Sequence, residues 1–200
     1  MKKLTIRSVS FATLAVTLFV AVPAVKARTA NRALQVSGAS IAVRCPLTVG
    51  GSFEAKTSAM TGELWVDPDK QGQIDGSIAV DLRTLETGIG LRDSHMLTQY
   101  LEVDRGGAFA AATLKDIRLS SIDPNDPVGK GTFNGVLGLH GQERPVAGTT
   151  EIRRSGEALH VKATFPVKVS DFAIPTPTYL GMGVKDEITV AVNFQTVPKF

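Results

Sequence analysis

Between Leu159 and Lys168 the chain alternates between apolar and polar residues. Leu159, Val161, Ala163, Phe165 and Val167 fall on one side, and His160, Lys162, Thr164 and Lys168 on the other. Successive side chains of a strand point to opposite faces, so a period of two describes a sheet with one dry face and one wet face. Near the C-terminus, Ile188, Val190, Val192 and Phe194 alternate in the same way with Thr189, Ala191, Asn193 and Gln195. The pattern predicts strands over 39–49, 52–67, 73–83, 107–119, 131–140 and 146–153, in addition to 158–168 and 186–197. Gly50-Gly51, Asp67-Pro68-Asp69, the stretch from Gly141 to Pro145, and Ser155-Gly156 supply turns between them. Pro166 has no N–H to give a ladder, which places it at a strand end, an edge or a bulge.

Eight strands joined by short turns make a mostly antiparallel, all-β meander. Closure into an eight-stranded antiparallel β-barrel would remove its exposed edges, with a β-sandwich as the alternative. One segment breaks the pattern. Residues 93–101 read as a short helix, with Asp93 capping its N-terminus and Met96, Leu97, Tyr100 and Leu101 sharing a face. Such a helix could plug or cover one end of a barrel.

The N-terminus has the three parts of an export signal. Lys2, Lys3 and Arg7 precede an uncharged, mostly apolar run from Val9 to Val22, and Val25-Lys26-Ala27 offers small residues for cleavage after Ala27. The apolar run is shorter than the roughly 18–20 residues that span a bilayer, so a removed signal over 1–27 and a domain over 28–200 are expected rather than a stable transmembrane anchor. Cleavage would leave 18 of the 22 basic residues against 19 acidic ones, a formal charge near −1. Nucleic acid and anionic membrane surfaces then lose their main electrostatic argument as partners. The exported protein is expected in the periplasm. The single cysteine, Cys45, excludes an intrachain disulfide, and its parity with Ile41 and Val43 predicts burial.

Little in the sequence supports covalent chemistry. No Gly-x-Ser-x-Gly turn or His-Glu-x-x-His motif is present, and Asp67-x-Asp69 lacks the later ligands of a calcium loop. No metal or cofactor is therefore expected. His160 alternates to the wet face, and His140 falls beside Gly141, where a turn hydrogen bond suffices. His95 with Asp93 is the most suggestive pair for catalysis, and a capped helix start explains it more simply. The inward positions are more informative. Ala108, Ala110, Ala111 and Ala112 crowd one predicted strand, Gly135 and Gly138 interrupt another, and Ala163 occupies a third. A closed eight-stranded barrel is either filled by bulky side chains or hollow enough for one small ligand. Small apolar residues favour a hollow, lipid-accepting interior; alanines facing a second sheet without a lumen remain the alternative.

Several stretches carry a family resemblance. Leu85-Glu86-Thr87-Gly88, then Leu91-Arg92-Asp93-Ser94-His95-Met96 and Tyr100-Leu101, resemble the hallmark of the YceI-like family. So do residues 131–141 running into Arg144-Pro145-Val146, and the ending from Val184 to Val190. The resemblance covers roughly residues 35 to 196. It implies an exported, lipocalin-like, extended antiparallel barrel whose relatives are associated with polyisoprenoids or other long amphiphilic lipids in the lumen. Arg92, Asp93 and His95 are expected to act as a structural motif that orders the turn and short helix rather than to catalyse. Many relatives carry Arg-Ser-Asp-Phe-Gly before the last strand, whereas this chain has Val169-Ser170-Asp171-Phe172-Ala173. A contact made by that arginine cannot be carried over.

The expectation is therefore an exported protein that sequesters or carries a polyisoprenoid-like or other long-chain amphiphilic lipid without being an enzyme. Leu137 and Leu139, then Val161, Ala163 and Phe165, then Val190, Val192 and Phe194 are the expected lipid-facing residues of three strands. Two alternatives stand beside it: a hydrolase or isomerase acting on such a lipid through His95 and Asp93, and a stress-related periplasmic barrel that binds nothing. A homodimer is left open as a partner.

Overall fold

A computed structural model describes residues 32–66, 70, 72–121, 126–179 and 182–198. The expected signal over 1–27 and the Asp67-Pro68-Asp69 turn lie outside these residues. The strands are β1 (Arg32–Pro46), β2 (Ser52–Thr57), β3 (Met60–Val66), β4 (Gln73–Asp81), β5 (Ala111–Ser120), β6 (Gly129–Leu139), β7 (Gln142–Ser155), β8 (Ala158–Lys168), the short β9 (Thr178–Tyr179) and β10 (Met182–Gly183), and β11 (Glu187–Pro198). β1 pairs with β11, and the antiparallel order then runs β11-β8-β7-β6-β5-β4-β3 back to β1. β2 and β3 face successive halves of β1, Cys45 against Phe53 and Leu34 against Leu64, so together they act as one broken stave. The result is a closed eight-stranded antiparallel barrel. Closure pairs β1 with β11 and leaves lateral edges only locally, as along β2, whose one ladder partner among the described residues is β1.

The apolar face of each strand turns inward. Phe133, Leu137 and Leu139 of β6, Phe165 and Val167 of β8, and Phe194 of β11 are buried. The rings of Phe133 and Phe165 meet edge-on, 5.6 Å apart between centroids, although β7 separates their strands. Gly148 of β7 permits that contact. A Cβ there would lie 2.6 Å from the Phe165 Cβ and 2.9 Å from the Phe133 ring. Pro166 occupies a local edge. β8 pairs with β7 only as far as Thr164, while on its other side Pro166 still faces Thr189 of β11.

Several element boundaries differ from the sequence expectation, each for a local reason. The strand expected over 52–67 breaks at Ser58-Ala59, where β1 passes from one partner to the next. The strand expected from 107 begins at Ala111, because Gly106 and Gly107 adopt positive φ and Gly107–Phe109 forms a 3-10 turn. Ala108 and Ala110 therefore precede the strand, and only Ala111 and Ala112 belong to it. β7 starts at Gln142 rather than 146. The hairpin turn is the two-residue His140-Gly141, both at positive φ (50° and 74°), which suits the twist of the flanking strands. Pro145 then lies within β7, opposite Val136.

The helix expected over 93–101 is α1 (Gly90–His95), continued by one π-helical turn, Met96–Tyr100. Asp93 therefore lies inside α1 and does not cap it; the N-cap position belongs to Ile89, with no side-chain cap bond. Asp93 instead reaches back to the loop before the helix, accepting from the backbone N–H (2.7 Å) and the hydroxyl of Thr87. Met96, Leu97, Tyr100 and Leu101 pack on the buried cluster that also holds Leu82, Leu85 and Phe172. The whole crossover between β4 and β5 thereby covers one end of the barrel.

Candidate functional site

The barrel encloses a cavity of about 820 Å³. Its wall includes Leu159 and Val167, eight residues apart on β8, so it follows that strand for about 26 Å at 3.3 Å per residue. Leu137, Leu139, Val161, Ala163, Phe165, Val190, Val192 and Phe194 all lie on this wall. Alternation placed them on a common face, and closure made that face the lining. Ala112 of β5 joins them.

The wall is almost entirely apolar. Thr150 contributes a hydroxyl that is already spent, donating to the Lys162 carbonyl at 3.1 Å. Thr196 is 3% exposed and its hydroxyl has no partner among the described residues. Cys45 also lines the cavity, and burial pushes its thiol up to about 11 against a smaller opposing pull from Arg92. A thiol so held is neutral at physiological pH and is a poor nucleophile.

The covered end carries the polar features. Arg92 and His95 line the cavity there, and Asp93 does not. The Arg92 guanidinium lies 4.2 Å from the centre of the Phe53 ring. It also donates to the Thr87 hydroxyl at 2.7 Å and to the Thr87 carbonyl at 3.1 Å. Thr87 thus bridges Arg92 to Asp93 and joins the loop to α1. No hydrogen bond joins Asp93 to His95 among the described residues, so the pair has none of the geometry of an acid–base dyad. Among those residues no cluster of three or more His, Cys, Asp or Glu side chains could hold a metal ion.

Sequence reasoning missed a second polar cluster at this end. His140 is 8% exposed, with Nδ1 3.0 Å from the Phe172 carbonyl and Nε2 3.0 Å from Glu102 Oε2. Glu102 also accepts from Arg105 at 3.0 Å; that bond first, and His140 second, holds its carboxyl below the usual value. Phe109 packs edge-on against the His140 ring, and Arg105 stacks over Phe109 at 3.8 Å. The cluster ties the β6–β7 turn to the crossover and to the 3-10 turn Val169–Phe172. Its only sequence signal is His-Gly at a hairpin turn, which does not reveal a partner 38 positions away. No helix among the described residues is long and apolar enough to cross a membrane.

A family model described as YceI-like domain matches residues 5–196. Three solved structures resemble the fold. Burkholderia cenocepacia BcnA is 14% identical, covers 78% of this chain and 95% of its own, and has a TM-score of 0.65. A polyisoprenoid binding domain from Saccharophagus degradans, implicated in plant cell wall breakdown, is 14% identical, with 84% and 98% covered and a TM-score of 0.62. The Campylobacter jejuni YCEI protein is 15% identical, with 75% and 86% covered and a TM-score of 0.58. A search of curated sequences returned no match.

Proposed function

This chain belongs to the YceI-like family, and on that premise we propose that it is an exported binding protein for a long-chain lipid or isoprenoid. The observation that carries the proposal is the cavity itself. It is tall, apolar and closed around its circumference, and at about 820 Å³ it falls within the 300–1,000 Å³ typical of small-molecule sites. Binding would be driven by removing apolar chain from water, at about 25 cal/mol per Å² or about 0.8 kcal/mol per buried methylene. No covalent step is required. The neutral thiol of Cys45 and the engagement of Asp93 by Thr87 favour a carrier over a hydrolase or isomerase. The polyisoprenoid binding domain with a similar fold supports the choice of ligand class. Export through residues 1–27, and with it a periplasmic location for residues 28–200, rests on the basic, apolar and small-residue pattern of the N-terminus.

Lipid extraction and mass spectrometry of the protein purified from a periplasmic fraction test both parts. The expected result is a co-purifying long-chain amphiphile near one per chain, on a polypeptide beginning at Arg28. A lipid-free protein that takes up neither a fatty acid nor a prenyl alcohol would overturn the binding reading. Intact Met1 on a membrane-retained form would overturn the export reading.

A further inference from the structure

The crossover covers its end of the barrel incompletely: beside α1 the cavity opens to solvent, and that mouth carries a charge. Among the described residues that line the cavity, those largely exposed to solvent are Ile89, Leu91 and His95, all in or beside α1. Ile89 is 54% exposed and Leu91 70%. A residue that touches both cavity and bulk water marks where the two meet. Arg92 sits between these residues and is the one described lining residue with a fixed charge.

The guanidinium is also held in a particular way. Thr87 takes two of its donors, and the Phe53 ring lies against it. No carboxylate pairs with it among the described residues, because Asp93 accepts from Thr87 instead. Its Nη1 group has no protein partner among those residues. The side chain is therefore oriented without being neutralised by direct pairing. Its charge also reaches the cavity wall, where it favours the thiolate form of Cys45. An oriented, unpaired guanidinium beside low-dielectric walls attracts an anionic oxygen, and its planar fork suits a carboxylate or a phosphate.

We propose that Arg92, with His95 beside it, forms a head-group site at the cavity mouth that selects amphiphiles with an anionic terminus, bound chain inward. This rests on the lipid-binding reading above and adds to it the ligand's polar end and its direction of insertion. The chain would run past Ala163 toward Leu159, and the head would remain at α1, where water can still solvate it.

The test uses the delipidated full-length mature protein and two matched pairs of probes at neutral pH, palmitate with hexadecanol and farnesyl phosphate with farnesol. The wild type is expected to prefer the anionic member of at least one pair by about tenfold or more. The preference should shrink as salt is raised. A preference confined to palmitate identifies a carboxylate head, and one confined to farnesyl phosphate identifies a phosphate. Arg92→Gln should bring the ratio within the responsive pair close to one, and Arg92→Lys should retain part of it. If the wild type binds the alcohols as tightly as their anionic partners, the head-group site is overturned while the lipid-binding reading stands. If it binds none of the four, both fall. A preference that persists in a folded Arg92→Gln protein also overturns the assignment. The wild-type ratio and its salt dependence decide the matter even if that variant does not fold.

Discussion

His140 Nε2 lies 3.0 Å from Glu102 Oε2, and the opposite nitrogen of the same ring lies 3.0 Å from the Phe172 carbonyl. The ring thus spans two oxygens on opposite sides and fastens two separate segments to the β6–β7 turn. Three segments distant in sequence meet at this side chain: the crossover that covers the barrel, the β6–β7 turn, and the 3-10 turn before β11. His140→Ala removes a packed ring and leaves the Phe172 carbonyl without a donor. Chemical denaturation should show a loss of about 2–3 kcal/mol. A loss below about 0.5 kcal/mol would show that the cluster does not hold the covered end together.

Acid should loosen the same end. The backbone N–H and hydroxyl of Ser170 hold the Asp186 carboxyl below its ordinary value of 3.8, and Arg105 and then His140 hold Glu102 below 4.5. A carboxyl depressed in the folded state stabilises it fully above the ordinary value. That stabilisation is lost as pH falls through the lower, folded value. The melting temperature should therefore drop between pH ~5 and pH ~2, and amides of 96–110 and 169–174 should exchange early. Equal melting temperatures across that range would contradict this.

Cys45 gives the opposite sign. Burial raises its thiol from 9.0 to about 11, so the folded state is favoured below the lower value and loses that advantage as pH rises toward the upper one. The depleted thiolate should make Cys45 react with a thiol reagent at pH ~8 about a hundredfold more slowly in the native protein than in denaturant. Rapid native labelling would mean that the cavity wall admits water at Cys45.

Ala173 has φ of 57°, a left-handed conformation that closes the 3-10 turn Val169–Phe172. It stands where the resemblance places glycine. A Cβ in this region costs about 1–2 kcal/mol, partly offset because glycine has more freedom to lose on folding. Ala173→Gly should raise stability by about 0.5–1 kcal/mol in a denaturant titration. A destabilised variant would count against this account of the turn.

The wall of the cavity was readable in the sequence, and its covered end was not. Val161, Ala163 and Phe165 had to share a face because one side of β8 is wet, and closure then turned that face inward. No comparable rule joins His140 to Glu102 or directs Asp93 to Thr87. These contacts depend on how the crossover folds back over the barrel, and they leave no period in the sequence. Pro145 shows a similar limit. It looked like part of a turn, but the positive φ at His140 and Gly141 completes the hairpin in two residues and lets the strand run through the proline.

Whether the cavity admits a ligand can be decided at Ala163. Its side chain is on the wall, midway between Leu159 and Val167 on β8, with Thr150 of β7 on one side and Val192 of β11 on the other. In Ala163→Phe a ring would project into the 820 Å³ space. If that space receives the chain of a lipid, binding should fall at least about tenfold while folding stability changes little, because the ring fills room that is empty in the free protein. If the barrel interior instead collapses in solution, the ring overpacks it, stability falls by about 1–3 kcal/mol, and there is no binding to lose. Lys162→Ala, one residue away on the wet face, should shift stability by no more than about 0.5 kcal/mol and leave binding intact. Loss of binding in Lys162→Ala with retention in Ala163→Phe would reverse the inside and outside of β8. A fluorescent fatty-acid titration with a parallel denaturant melt of each variant distinguishes these three outcomes.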